Sequence, residues 1–224
     1  MSSPTHPVHW AIAVFPGFQA LDAFGPLDIL NLVARYHKIE LSVIAASLEP
    51  VSTNLALVFP DKQDVWNPAG SNCGQSIVPT HTFDSPPEKI EVLIVPGGGG
   101  TRSPHSSGPV IDFIKKIYPS LGYLLTVCTG SGLAARAGVL NGMRATSNKR
   151  SWEEVTALSQ EPEWVHRARW VHNENIWSSS GISAGIDMMF AYVESIWGKK
   201  FTDSIAKRME YVRNEHWDND PFVV

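Results

Sequence analysis

The run YLLTVCTGSGLAARA, residues 123–137, passes from one kind of local structure to another at a single residue. Tyr123 to Val127 is a short apolar stretch without turn formers, the pattern of a strand buried on both faces. After Cys128 the small residues through Ala137 read as a helix. A strand that gives way directly to a helix is the repeating unit of α/β folds.

Working outward, KIEVLIV (89–95) is another apolar strand, and it runs straight into Pro96 and the glycines Gly97 to Gly100. VHWAIAVF (8–15) ends at the turn Pro16-Gly17, and ELSVIAA (40–46) repeats the strand pattern. Between them, Ala20 to Val33 reads as a helix with Phe24, Leu27, Leu30 and Val33 apolar, its Pro26 tolerable near the start. Ser107-Gly108-Pro109 begins a further helix, with Val110, Ile114, Ile117 and Tyr118 on one face. Arg167 to Ser178 resembles a hairpin turning at Asn173-Glu174-Asn175. From Ile182 a helical period follows, and a last amphipathic helix is expected over Phe201 to Asn214, using Ile205, Met209 and Val212. Alternating strands and helices predict an α/β sandwich with a mostly parallel sheet covered on both faces. One domain spans residues 1–224, with residues 48–85, rich in Pro, Asn, Asp and Gly, as an irregular insertion.

Composition narrows the function. The 224 residues are 43% hydrophobic, too apolar for a disordered chain, and Lys+Arg 18 against Asp+Glu 22 leaves no basic excess for a nucleic-acid partner. Two cysteines cannot build a disulfide framework. The first residues lack the basic-then-apolar pattern of a signal peptide, and no apolar stretch approaches the roughly 20 residues that span a bilayer. A cytoplasmic protein without a membrane partner is the expectation.

In open α/β sheets reactive groups gather at the carboxyl ends of the strands. Cys128 occupies such an end, where a strand-to-helix turn can present a side chain and a helix N-terminus favours a thiolate. The bland alternative is a buried cysteine acting as a small hydrophobe. Asp22 could be no more than a helix cap; set beside Cys128 it would be pushed to hold its proton and act as a general acid. Gly97 to Gly100 fits neither a Walker loop nor G-x-G-x-x-G, since position 102 is Arg102, so a nucleotide is disfavoured and an exposed amide aimed at developing charge is left. The eight histidines show no ligand spacing, and no metal or cofactor is expected.

FPGFQALDAFGPLDIL (15–30), LIVPGGGG (93–100), VCTGSGLAARAGVLNGMRAT (127–146) and IWSSSGISAGIDM (176–188) together resemble the ThiJ/PfpI superfamily, nearest its isonitrile hydratase-like branch. The resemblance implies a flavodoxin-like three-layer sandwich, a homodimer, and Cys128 as nucleophile at a strained strand–helix turn. By the same resemblance Asp22 is the acid, and the amides of Gly98 and Thr129 line the anion-stabilising pocket. The reaction implied is thiolate attack on the terminal carbon of a small isonitrile substrate, protonation of nitrogen, and water completing an N-substituted formamide. Two departures stand out. Thr129 replaces the histidine that follows the cysteine in peptidase-like members, and Asn148 falls about where many hydratase-like members carry histidine. The alternatives are a glyoxalase-like enzyme acting on 2-oxoaldehydes, although the second carboxylate of such a site is not apparent, and a non-catalytic oxidation-sensing or ligand-binding protein. A DNA-binding regulator is not expected, because the roughly 25 residues from Phe201 cannot hold a helix-turn-helix pair.

Overall fold

A computed structural model describes residues 6–223 of the chain. The chain begins with β1 (His9–Ala13), α1 (Ala20–Val33) and β2 (Glu40–Ala45). Short pieces follow: β3 (Val51–Ser52), α2 (Leu55–Val58), α3 (Gln63–Trp66), β4 (Ser76–Ile77) and β5 (His81–Thr82). Then come β6 (Val92–Val95), α4 (Pro104–Ile117), β7 (Tyr123–Val127) and α5 (Gly130–Arg136). The last part holds β8 (Arg144–Ala145), α6 (Trp152–Thr156), β9 (Glu163–Trp164), β10 (Trp170–Asn173), β11 (Ile176–Ser179), α7 (Ala184–Trp197) and α8 (Lys199–Arg208).

Seven strands form one sheet in the order β10-β11-β7-β6-β1-β2-β5, and only the hairpin β10–β11 is antiparallel. All four residues of β6 are inaccessible to solvent, as expected of a strand covered on both faces. Helices α1, α7 and α8 pack together in one layer, and α4 and α5 in the other. The result is the flavodoxin-like three-layer sandwich. Parallel strands joined by helices bring the loops after β6, β7 and β11 to the same sheet edge.

Several boundaries differ from those read in the sequence. Helix α4 begins at Pro104 because Ser103 caps it, accepting from the Ser106 amide, with proline in the first turn. In α1, Leu27, Leu30 and Val33 are buried as expected, but Phe24 lies partly outside with Leu21, and Asp22 and Ile29 join the buried stripe. Helix α8 stops at Arg208, and Val212 is exposed. Past Glu210, at φ 52°, the chain turns so that the Tyr211 hydroxyl and the Asn214 amide reach Asp187 on α7, each at 3.0 Å. Within 48–85, β3 pairs with β4 outside the main sheet, whereas β5 adds a strand beside β2. Cys73 in this segment is exposed. None of the helices among the described residues is long and apolar enough to cross a membrane.

Candidate active site

Cys128 follows β7 and has a φ of 59°, a left-handed conformation that costs a non-glycine residue on the order of 1–3 kcal/mol. The surroundings hold it there. Its amide lies 3.2 Å from the carbonyls of both Ser179 and Ser180, while its own carbonyl accepts from the Ser131 hydroxyl at 3.1 Å and the Ser147 hydroxyl at 3.0 Å. Backbone strain sustained by this many partners fixes the direction of the side chain.

Asp22 is fully buried on α1, yet it does not cap the helix: its Oδ2 accepts the Gly97 amide at 2.9 Å, across the sheet edge. Burial lifts its pKa from the ordinary 3.8 to about 7, against the opposing pull of hydrogen bonds from Gly97 and the Cys128 thiol. Its Oδ1 has no aligned hydrogen-bond partner among the described residues. An orphaned oxygen on a buried carboxyl favours the protonated form. The structure therefore brings Asp22 and Cys128 together, as the sequence anticipates.

Desolvation opposes the expected thiolate. Burial, and then the adjacent Asp22 charge, push the Cys128 thiol up to about 12. The amides of Ile182 and Thr129 and the Asn148 side chain pull the other way without prevailing. A helix N-terminus outside a dry pocket lowers a thiol pKa, but here desolvation is the larger effect. Burial therefore works against the thiolate, and the proton chemistry of the site belongs to Asp22 and Cys128 as a coupled pair.

Gly98 requires a correction. Its amide is not free for an oxyanion, because it donates to Thr129 Oγ1 at 3.0 Å. Gly98 instead serves by its shape: at φ 133° it lets the chain pass against Gln19 and Gly17, where a Cβ would collide with backbone. Thr129 remains at the centre, with its amide directed to the sulfur and its hydroxyl tying the glycine loop to α5. Gly97 is equally confined, since a Cβ there would stand 2.6 Å from the Thr129 nitrogen and 3.0 Å from Asp22 Oδ2.

Asn148 and Ile182 complete the sulfur's surroundings. The Asn148 side-chain amide donates to Cys128 Sγ at 3.1 Å, and its oxygen, accepting the Ser151 amide at 3.0 Å, locks the orientation. Ile182 has a φ of 40°, rare for a β-branched residue, and this conformation delivers its amide to the sulfur. Both residues line a cavity of about 510 Å³, within the size range of small-molecule sites. Cys128 itself is only 5% exposed. The sequence marked position 148 as a departure without assigning the contact; Ile182 acts through its main chain, for which residue type gives no signal. No group of three or more His, Cys, Asp or Glu among the described residues could hold a metal ion.

The DJ-1/PfpI family model matches residues 10–195. The chain is 29% identical over 209 residues to an isonitrile hydratase of Pseudomonas putida, covering 92% of this chain and 79% of that protein. It is 29% identical over 159 residues to the HTH-type transcriptional regulator GbdR of Pseudomonas aeruginosa, covering 69% of this chain and 41% of the regulator. Among solved structures it resembles a ThiJ/PfpI family protein of Pseudomonas syringae (TM-score 0.74, 23% identity, 96% of this chain and 82% of that one). It also resembles DJ-1beta of Drosophila melanogaster (TM-score 0.70, 18% identity, 92% and 99%).

Proposed function

The chain belongs to the DJ-1/PfpI family, and on that footing we propose that it is a cysteine-dependent, cofactor-free hydratase converting small isonitriles to N-substituted formamides. The observation that carries the reading is the pair itself: a cysteine fixed at a strained turn beside a fully buried carboxyl, whose burial raises its pKa to about 7. Similarity to the Pseudomonas putida isonitrile hydratase along 92% of the chain supports the choice of substrate.

The chemistry starts from a pair that carries one proton. As Sγ bonds to the terminal carbon of the isonitrile, the thiol proton passes to Asp22. That carbon is left with a lone pair and takes the proton back from Asp22, giving a thioimidate on Cys128. The first proton thus goes to carbon and not to nitrogen, a refinement of the order expected from the sequence. Water then adds to the same carbon, Asp22 relays its proton to nitrogen, and the C–S bond breaks as the hydroxyl proton returns to sulfur. Isonitrile plus water becomes formamide, and the thiol is regenerated. Through these steps the amides of Thr129 and Ile182 and the Asn148 side chain stabilise charge on the sulfur.

The test is incubation with an alkyl isonitrile and, separately, with methylglyoxal, following formamide and hydroxyacid by NMR. Formamide production that disappears in Cys128→Ala is expected. Turnover of methylglyoxal alone would replace this reading with the glyoxalase one, and isonitrile turnover surviving Cys128→Ala would remove the cysteine from the mechanism. The oxidation-sensing alternative is disfavoured by access, because Cys128 is only 5% exposed. A homodimer is part of the proposal, supported by Leu21 and Phe24, which stand partly exposed on α1.

A further inference from the structure

The mechanism leaves one part of the molecule unused: the residues after α8, of which Phe222 reaches the cavity. Tyr211 and Asn214 bond to Asp187, and the Trp217 carbonyl accepts the Arg169 amide at 2.6 Å. Asp220 then enters a buried ion pair with Lys149 at 3.7 Å, their side chains 0% and 3% exposed. Its Oδ1 also accepts the Phe222 amide at 3.1 Å, which turns the chain end back. Phe222 consequently forms a wall of the same cavity that Asn148 and Ile182 line.

We propose that this tail completes the active site, and that Phe222 and Ile182 together select substrates carrying an apolar substituent on the reacting group. Three features support this. Phe222 is 65% exposed and Ile182 37%, so two large apolar side chains stand uncovered around one cavity. Segments without regular secondary structure are ordinarily loose unless tied down, and this one is fastened at four places. Lys149, the last fastening, directly follows the residue whose amide touches the sulfur, and its ammonium donates to Thr146 Oγ1 at 2.8 Å and the Ser147 carbonyl at 3.1 Å. The tail and the sulfur's surroundings are therefore parts of one construction. Arg150 lines the same cavity and offers the competing choice, an acidic substituent.

The inference rests on the hydratase reading for the reaction, though its selectivity can be read on the thiol alone. In a Cys73→Ser background, intact-mass spectrometry follows alkylation of Cys128 by iodoacetamide, N-benzyl iodoacetamide and iodoacetate, the sulfur displacing iodide and losing its proton. The benzyl reagent is expected to react about tenfold faster than iodoacetamide, as burial of an aromatic ring allows. Phe222→Ala should bring the ratio of the benzyl to the iodoacetamide rate close to one, and Phe222→Leu should keep the preference. An unchanged ratio in Phe222→Ala, equal acceleration of every reagent, or a preference for iodoacetate would each overturn the proposal. Kinetics with methyl and cyclohexyl isonitrile separate the two ideas. Benzyl preference without isonitrile turnover defeats the hydratase reading alone; turnover of both with the same KM ratio in wild type and Phe222→Ala defeats the selectivity alone.

Discussion

Asp22 and Cys128 are both buried and coupled, and on the proposed mechanism the pH behaviour of activity follows from the proton they exchange. The proposed mechanism uses the pair with one proton on it, the form favoured above the Asp22 pKa of about 7. The kcat/KM for isonitrile is expected to rise with pH to a plateau, with an apparent pKa near 7; a profile flat from pH 5 to 8 would contradict it. Asp22→Asn should lower kcat/KM by about 10²–10⁴-fold, the range of general acid–base catalysis. Stability moves the other way. A carboxyl raised from 3.8 to about 7 keeps in the native state a proton that the unfolded chain has released, so stability falls as pH climbs between those values. Asn at position 22 can still accept the Gly97 amide, so Asp22→Asn should be more stable than wild type at pH 8, by about 1–4 kcal/mol on linkage grounds. Thermal melts should show that gap narrowing towards pH 4.5, and a constant gap would count against it. Position alone made these two residues legible in the sequence, because both fall near the carboxyl ends of strands. The burial of the sulfur was not legible, since it depends on residues far along the chain, Asn148 and Ile182 among them.

At the scale of elements, periodicity located the strands and long helices because each buries a stripe or a whole run. β6 and β7 read as unbroken apolar stretches and are the sheet's inner strands. Ends were less legible, since they are set by single contacts: the Ser103 cap for α4, and Asp187 drawing Tyr211 away from α8. The junction of α7 and α8 shows the same dependence on one residue. Gly198 closes α7 and opens α8 at φ 83° and ψ 159°, a region almost closed to residues with a side chain, although nothing lies within 4 Å of where a Cβ would be. Gly198→Ala is therefore expected to cost about 1–3 kcal/mol from backbone strain alone, leaving Cys128 alkylation rates unchanged. Denaturant titration measures the first and intact mass the second. A stability loss within about 0.5 kcal/mol, ordinary for surface substitutions, would show that the junction relaxes freely.

Across the whole molecule, distant segments converge on Asp187. It is nearly inaccessible, pairs with Arg169 at 2.7 Å, and receives Tyr211 and Asn214 from the tail. Asp187→Ala should destabilise the protein by about 3–5 kcal/mol, because the Arg169 charge is left buried and unpaired. It should also make the segment after Arg208 the first site of limited proteolysis; cleavage elsewhere first would show that the tail has sufficient anchors without Asp187. The two thiols differ as sharply in access as any pair in the molecule, Cys73 lying open to solvent and Cys128 nearly sealed. In air, therefore, the first sulfur to cross-link is the one on the loop, so two copies tethered on a non-reducing gel would report storage conditions and say nothing of a native assembly.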